Sequence, residues 1–124
     1  MKYLLIDDEE IFNYIHDTVI HNFSPEAEVL AYNSASEALD YLKGCITNGE
    51  KCPDYILLDI RMPEMNGFEF LEQLNDFEPA FFNHTKVYML SSTLDERDLK
   101  RALSYPFVQG FRDKPLSESI LNEI

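Results

Sequence analysis

Five short apolar runs punctuate the chain: Tyr3–Ile6, Val29–Tyr32, Tyr55–Leu58, Val87–Leu90 and Val108–Phe111. Continuous apolar runs of this length are the pattern of strands buried on both faces of a parallel sheet. The segments between them carry apolar residues at helical spacing. Ile11, Ile15 and Val19 recur every four residues, and Phe12 and Ile20 widen the stripe, which predicts a helix with one face on the sheet. Ser34-Ala35-Ser36-Glu37 has the form of a capping box ahead of Ala38, Leu39 and Leu42, and Gly44 is the predicted end of that helix. Cys45 to Pro53 then reads as a polar loop. Asn66-Gly67, with Glu69 placed to close a cap on Asn66, opens a third helix through Phe68, Leu71 and Leu74. Thr93-Leu94-Asp95-Glu96 repeats the capping pattern ahead of Leu99, Ala102 and Leu103, and Pro106 stops that helix. Ser117 to Ile124 has room for about two helical turns. This alternation predicts an α/β sheet with right-handed crossovers, in a single domain over residues 1–124 with no linker or output domain attached.

Charge narrows the partners. The chain has 124 residues, with 10 Lys and Arg against 23 Asp and Glu, a formal net charge of −13. Nucleic-acid binding draws its affinity from Lys and Arg displacing counterions, so DNA, RNA and anionic membranes are not expected partners. The apolar runs fall far short of the ~20 residues that cross a bilayer, and the N-terminus lacks the pattern of a secretion signal. A cytoplasmic location is expected. Cys45 and Cys52 have no second cysteine pair or nearby histidine to complete a zinc site, and are read as free thiols. His16, His21 and His84 fit no metal or nucleophile spacing.

Candidate chemistry lies at the strand ends. In an open parallel sheet, reactive groups gather at the carboxyl ends of the strands. The first run ends in Asp7-Asp8, the third in Asp59, the fourth in Ser91-Ser92, and the fifth leads to Lys114-Pro115. Three carboxylates, a hydroxyl and an ammonium are thereby expected on one edge. Two carboxylates about 4 Å apart repel by ~4 kcal/mol at an effective dielectric near 20, so the cluster calls for a counter-charge. Oxygen ligands with neither thiolate nor imidazole point to Mg²⁺. Such a site suits phosphoryl transfer, with Asp59 as nucleophile, Mg²⁺ and Lys114 against the phosphoryl oxygens and Ser91 as hydrogen-bond donor.

Over essentially its whole length the sequence resembles the CheY-like receiver domains of two-component response regulators. The resemblance lies in Leu5-Ile6-Asp7-Asp8-Glu9, Leu57-Leu58-Asp59-Ile60-Arg61-Met62-Pro63-Glu64-Met65-Asn66-Gly67, Met89-Leu90-Ser91-Ser92 and Lys114-Pro115, in that order. It implies a flavodoxin-like (βα)5 fold, a doubly wound parallel sheet of strand order 2-1-3-4-5. It implies that Asp59 is the phosphoacceptor, that Asp8 and Asp59 ligate Mg²⁺, that Asp7 assists through water, and that the Arg61 backbone carbonyl completes the protein ligands. Ser91 and Phe111 would form the switch: Ser91 moves toward the phosphoryl group and Phe111 swings into the space vacated. The face made by the fourth helix, fifth strand and fifth helix would then change its preferred protein target. The donor would be a sensor histidine kinase or a histidine phosphotransfer protein.

The sequence departs from the family pattern at Phe107-Val108, where Gly-Ala is frequent, and at Arg112 and Asp113 in a strand usually more apolar. Asp113 would add negative charge beside Lys114 if it turned inward. The chain is expected to catalyse only its own phosphorylation and dephosphorylation, with no external substrate turned over. Two other readings share part of the site. An aspartyl-phosphate phosphohydrolase would use the same nucleophile and metal, but it generally carries a second acid two residues on, where this chain has Arg61. A pseudo-receiver would bind partners without phosphorylation.

Overall fold

The computed structural model describes residues 1–93 and 95–124, so Leu94 of the fourth capping segment lies outside the described residues. Five parallel strands, β1 (Lys2–Ile6), β2 (Glu28–Tyr32), β3 (Tyr55–Asp59), β4 (Lys86–Ser91) and β5 (Val108–Asp113), form one sheet of order β2-β1-β3-β4-β5. Helices α1 (Glu10–Phe23), α2 (Ala35–Asn48), α3 (Gly67–Leu74), α4 (Glu96–Leu103) and α5 (Glu118–Glu123) alternate with them, as the apolar runs predict. The 3₁₀ turn Pro79–Asn83, which the sequence pattern does not announce, precedes β4.

Strand alternation divides the core into two layers. Leu4, Ile6, Ile56, Leu58, Val87, Met89 and Phe111 pack on one face with α2, α3 and α4. Tyr3, Leu5, Leu57, Tyr88 and Leu90 face the other way, onto Ile20 of α1 and Leu116 and Leu121 near α5. Both faces are covered, which is why the strands read as unbroken apolar runs. Among the described residues, no helix is long and apolar enough to cross a membrane.

Three local expectations are corrected. The α2 helix does not end at Gly44 but runs to Asn48, because buried Cys45 extends the stripe of Ala38 and Leu42 by another turn. The stop is Gly49, in the left-handed region at φ 67°, where only a residue without Cβ is unstrained. In α1, Ile11 is 60% exposed, and the helix buries Asn13, His16 and Ile20 instead. This rotation lets the Asn13 amide donate to the Asp7 carbonyl at 3.0 Å and to Asn33 Oδ1 at 3.1 Å. The α4 helix is capped by Asp95, whose carboxylate accepts from Arg97 N at 2.8 Å, and not by Thr93. The backbone of Thr93 is engaged elsewhere, with its N–H and C=O both bonded to Ser91 Oγ. The caps at Ser34, Asn66 and Ser117 form where their residue types predict, and Asn66 with Glu69 makes a complete capping box.

Candidate functional site

Strand register builds the site. β1 and β3 are neighbours with Ile6 opposite Leu58, so the next residues, Asp7 just past β1 and Asp59 at the end of β3, stand side by side at the sheet edge. On the other flank, Leu90 of β4 lies opposite Asp59, and Ser91 opposite Asp113, which places Ser91 and Lys114 at the same edge. The Lys114 backbone N–H donates to the Ser91 carbonyl at 2.9 Å and fixes that end of β5 to β4. The Lys114–Pro115 peptide bond is cis. A cleft of about 210 Å³ opens here, lined by Asp8, Glu9, Phe12, Asp59, Arg61, Ser91, Ser92 and Lys114.

Carboxylate oxygens of Asp7, Asp8 and Asp59 all lie within 4.8 Å of one another. Asp7 and Asp59 are buried, and Asp8 is half-buried. Lys114 Nζ stands 2.6 Å from Asp7 Oδ2 and 3.2 Å from Asp59 Oδ1. Three carboxylates thus face one ammonium, with two negative charges left over. Burial, and then the charge of Asp7, push the Asp59 carboxyl up to about 6, although Lys114 opposes both. Burial works against the Lys114 ammonium, but Asp7 and Asp59 outweigh it and its pKa is raised. Oxygen donors at this spacing, with surplus negative charge and no soft ligand among the described residues, fit a small hard divalent cation. Asp7 also accepts from the Glu9 N–H at 3.0 Å, so it braces the start of α1 while facing the ammonium.

Of the two residues expected to form the switch, Ser91 is buried at the end of β4 with its hydroxyl donating to the Thr93 carbonyl at 2.7 Å. Phe111 is only 6% exposed and packs within the core. Its ring is therefore already withdrawn from solvent while Ser91 is bonded to the adjoining loop. The Arg61 side chain is 74% exposed and reaches Asp98 of α4 at 3.9 Å. Asp113 is exposed, and the carboxylates on the Lys114 ammonium are those of Asp7 and Asp59. Cys45 and Cys52 are free thiols, and His21 and His84 pair with Asp17 and Asp54 without lining the cleft.

Other residues shape the site without announcing themselves in the sequence. Gly67 packs against the end of β3: a Cβ there would lie 2.5 Å from the Asp59 carbonyl oxygen and 2.9 Å from Ile60 Cα. Its N–H donates to the Ile60 carbonyl at 2.7 Å, so α3 starts in direct contact with the strand that carries Asp59. Asn-Gly is legible as a helix start, but the close approach is not. Phe12 lies beneath Lys114, with Nζ 4.1 Å from the ring centroid. His16 is 2% exposed one turn further on, its Nε2 has no partner, and burial pushes its imidazole down to about 4.

The receiver-domain profile of response regulators matches residues 3–124. The crystal structure of a two-component response regulator from Cytophaga hutchinsonii superposes with a TM-score of 0.90 at 32% identity, covering 98% of this chain and 91% of that one. A two-component response regulator from Legionella pneumophila gives a TM-score of 0.81 at 29% identity, covering 100% and 99%. Among curated relatives, the probable methanogenesis regulatory protein FilR2 of Methanothrix harundinacea is 36% identical over 64% of this chain and 50% of its own. The sensory/regulatory protein RpfC of Xanthomonas campestris is 27% identical over 94% of this chain but only 15% of its own. The chain therefore spans half or less of these curated relatives. With the strand order, the acidic pocket and the profile match in agreement, the chain belongs to the response regulator receiver domain family of two-component signalling.

Proposed function

We propose that this receiver takes a phosphoryl group from a phosphohistidine donor onto Asp59, and that the resulting acyl phosphate changes which protein its surface binds. The observation that carries the reading is the charge imbalance around Asp59: three carboxylates within 4.8 Å of one another against a single ammonium. Asp8, Asp59, the Arg61 backbone carbonyl and, through water, Asp7 would hold Mg²⁺. When bound, Mg²⁺ supplies positive charge that lets these acids stay ionised together and that complements phosphoryl oxygens. An oxygen of Asp59 attacks phosphorus, the P–N bond to the donor imidazole breaks, and the imidazole leaves with the electron pair and takes up a proton. Lys114, already held beside Asp59, pairs with a phosphoryl oxygen. Ser91 turns from the Thr93 carbonyl toward the new oxygens, and Phe111 repacks into the space it leaves. The readout is the α4–β5–α5 face, and the donor is a sensor histidine kinase or a histidine phosphotransfer protein.

The 124 residues act as one receiver unit that processes only its own phosphoryl group. The phosphohydrolase alternative lacks its general acid, because the residue two beyond Asp59 is the exposed cation Arg61. Incubation with a small acyl phosphate or phosphoramidate, and then intact mass spectrometry, tests the proposal. A labile adduct should form only with Mg²⁺, vanish in Asp59→Asn and persist in the Cys45→Ser, Cys52→Ser double variant. Equal labelling of Asp59→Asn removes the proposal, and repeated turnover of a phosphate ester would replace it with the hydrolase. Unchanged partner affinity after phosphorylation would instead identify a pseudo-receiver.

A further inference from the structure

The cleft contains an aromatic group for which neither the proposed metal nor the proposed phosphoryl transfer accounts. Phe12 is half-buried on α1 and lines the cleft, with its ring centroid 4.1 Å from Lys114 Nζ. Behind it, one turn along the helix, the buried imidazole of His16 packs at 5.8 Å between ring centroids. The Lys114 side chain is 5% exposed, so its ammonium has left most of its water, and two carboxylates and this ring lie against it.

The two carboxylates are unreliable anchors during the reaction. Asp59 becomes a mixed carboxylic–phosphoric anhydride whose charge moves from the carboxylate out onto the phosphoryl oxygens, and Asp7 is drawn toward any divalent cation that enters. The aromatic ring neither titrates, nor binds a hard cation through oxygen, nor changes when Asp59 is modified. Its negative quadrupole attracts a desolvated ammonium equally before and after transfer. A Leu or Met of similar bulk would fill the space without that attraction.

We propose that Phe12 is a positioning residue for Lys114, its ring face holding the ammonium over the cleft while the carboxylate partners of that ammonium change. The proposal rests on Asp59 being the phosphoacceptor. It assigns Phe12 no contact with the phosphoryl group and no part in bond making.

The test uses the full chain with Phe12→Leu, Phe12→Met, Phe12→Tyr and pentafluorophenylalanine at position 12. The last keeps ring size and inverts the quadrupole. In the metal-free protein, the Lys114 ε-methylene protons should be shifted upfield by the ring in NMR spectra of wild type and Phe12→Tyr, and should lose that shift in Phe12→Leu and Phe12→Met. The rate of Asp59 phosphorylation by acetyl phosphate, at saturating Mg²⁺, should fall about two- to five-fold in the Leu, Met and pentafluoro proteins and recover in Phe12→Tyr. The Mg²⁺ dissociation constant from calorimetry should not move. Wild-type rates in the pentafluoro protein, or equal rates in the Tyr and Leu variants, overturn the proposal. Should Phe12→Leu fail to fold, the pentafluoro protein alone decides. A wild-type protein that takes up no phosphoryl group at Asp59 would defeat the underlying reading instead, and the NMR comparison would still report whether the ring holds Lys114.

Discussion

Two buried groups near the cleft titrate in opposite senses, and single substitutions should expose each. Asp59 is raised from 3.8 to about 6 by burial and by Asp7. His16 is lowered from 6.5 to about 4, chiefly by burial. Between about pH 4 and 6 the folded protein holds a proton on Asp59 that the unfolded chain has released, so this group's contribution to stability is lost as pH rises. Over the same range the unfolded chain holds a proton on His16 that the folded protein excludes, so that contribution is lost as pH falls. One proton is worth up to about 1.4 kcal/mol per pH unit in either direction. The two slopes oppose each other, and the metal-free wild type should be nearly flat in this window as far as these groups are concerned. Asp59→Asn leaves the His16 slope alone, and stability should rise with pH. His16→Leu leaves the Asp59 slope alone, and stability should fall with pH. Water reaching Asp59 through the cleft trims the ideal figure, so slopes of about 0.5–1 kcal/mol per pH unit, opposite in sign, are expected. At neutral pH, Asp59→Asn should be more stable than wild type by about 1–2 kcal/mol. Urea unfolding monitored by far-UV circular dichroism suits a chain without tryptophan. Parallel pH profiles for the two variants would refute the reasoning, as would an Asp59→Asn protein no more stable than wild type at neutral pH.

Particular contacts give three more expected outcomes. Gly67→Ala places a methyl 2.5 Å from the Asp59 carbonyl oxygen, so α3 must retreat from β3; urea unfolding should show a loss of about 1–3 kcal/mol, and phosphorylation should slow with it. Asn66→Ala removes the side-chain half of the capping box, the 2.9 Å bond accepted from the Glu69 N–H, while the 3.1 Å backbone bond to the Glu69 carboxylate can remain; it should cost about 1 kcal/mol by the same measurement. Lys114→Met leaves Asp7 and Asp59 buried without their cation, and should destabilise the metal-free protein by about 3 kcal/mol at neutral pH. That deficit should shrink on acidification, once Asp59 is protonated; a pH-independent loss would mean that the ammonium acts only by packing.

The strands are legible in the sequence because both faces of the sheet are covered, so their apolar runs have no polar interruption to blur them. Their last residues are not: Asp59 and Ser91 complete β3 and β4 through backbone pairing that side-chain polarity hides. Helix limits fail where a local rule meets a packing demand. Gly44 reads as a stop, but an interior glycine costs about 1 kcal/mol at most, and burying Cys45 beyond it offsets the cost of another turn. The buried face of α1 departs from its apolar stripe because Asn13 and His16 are polar yet buried, the first with three acceptors within 3.4 Å and the second neutral. The candidate site residues Asp7, Asp8, Asp59, Ser91 and Lys114 are legible from sequence because each stands at or just past a strand end. The spacing of their oxygens, the inward ring of Phe111 and the Phe12–Lys114 contact depend on how helices sit on the sheet, which a linear pattern does not encode.

The site is held together against its own electrostatics. Asp7 and Asp59 repel each other, and burial with that repulsion brings the Asp59 carboxyl to about 6, yet the two cannot move apart. Each continues a strand locked in register, Ile6 against Leu58, with apolar neighbours buried above and below. The fold therefore absorbs the repulsion and keeps it available. Any event that adds positive charge beside Asp59 relieves energy already stored, whereas a phosphoryl group on Asp59 would form a mixed anhydride that brings further negative charge and so depends on that cation. In this state the Ser91 hydroxyl is satisfied by the neutral Thr93 carbonyl at 2.7 Å, while the Asp59 carboxylate is paired with Lys114 at 3.2 Å. Under the proposed phosphorylation, phosphoryl oxygens would offer that hydroxyl a charged acceptor in place of a neutral one.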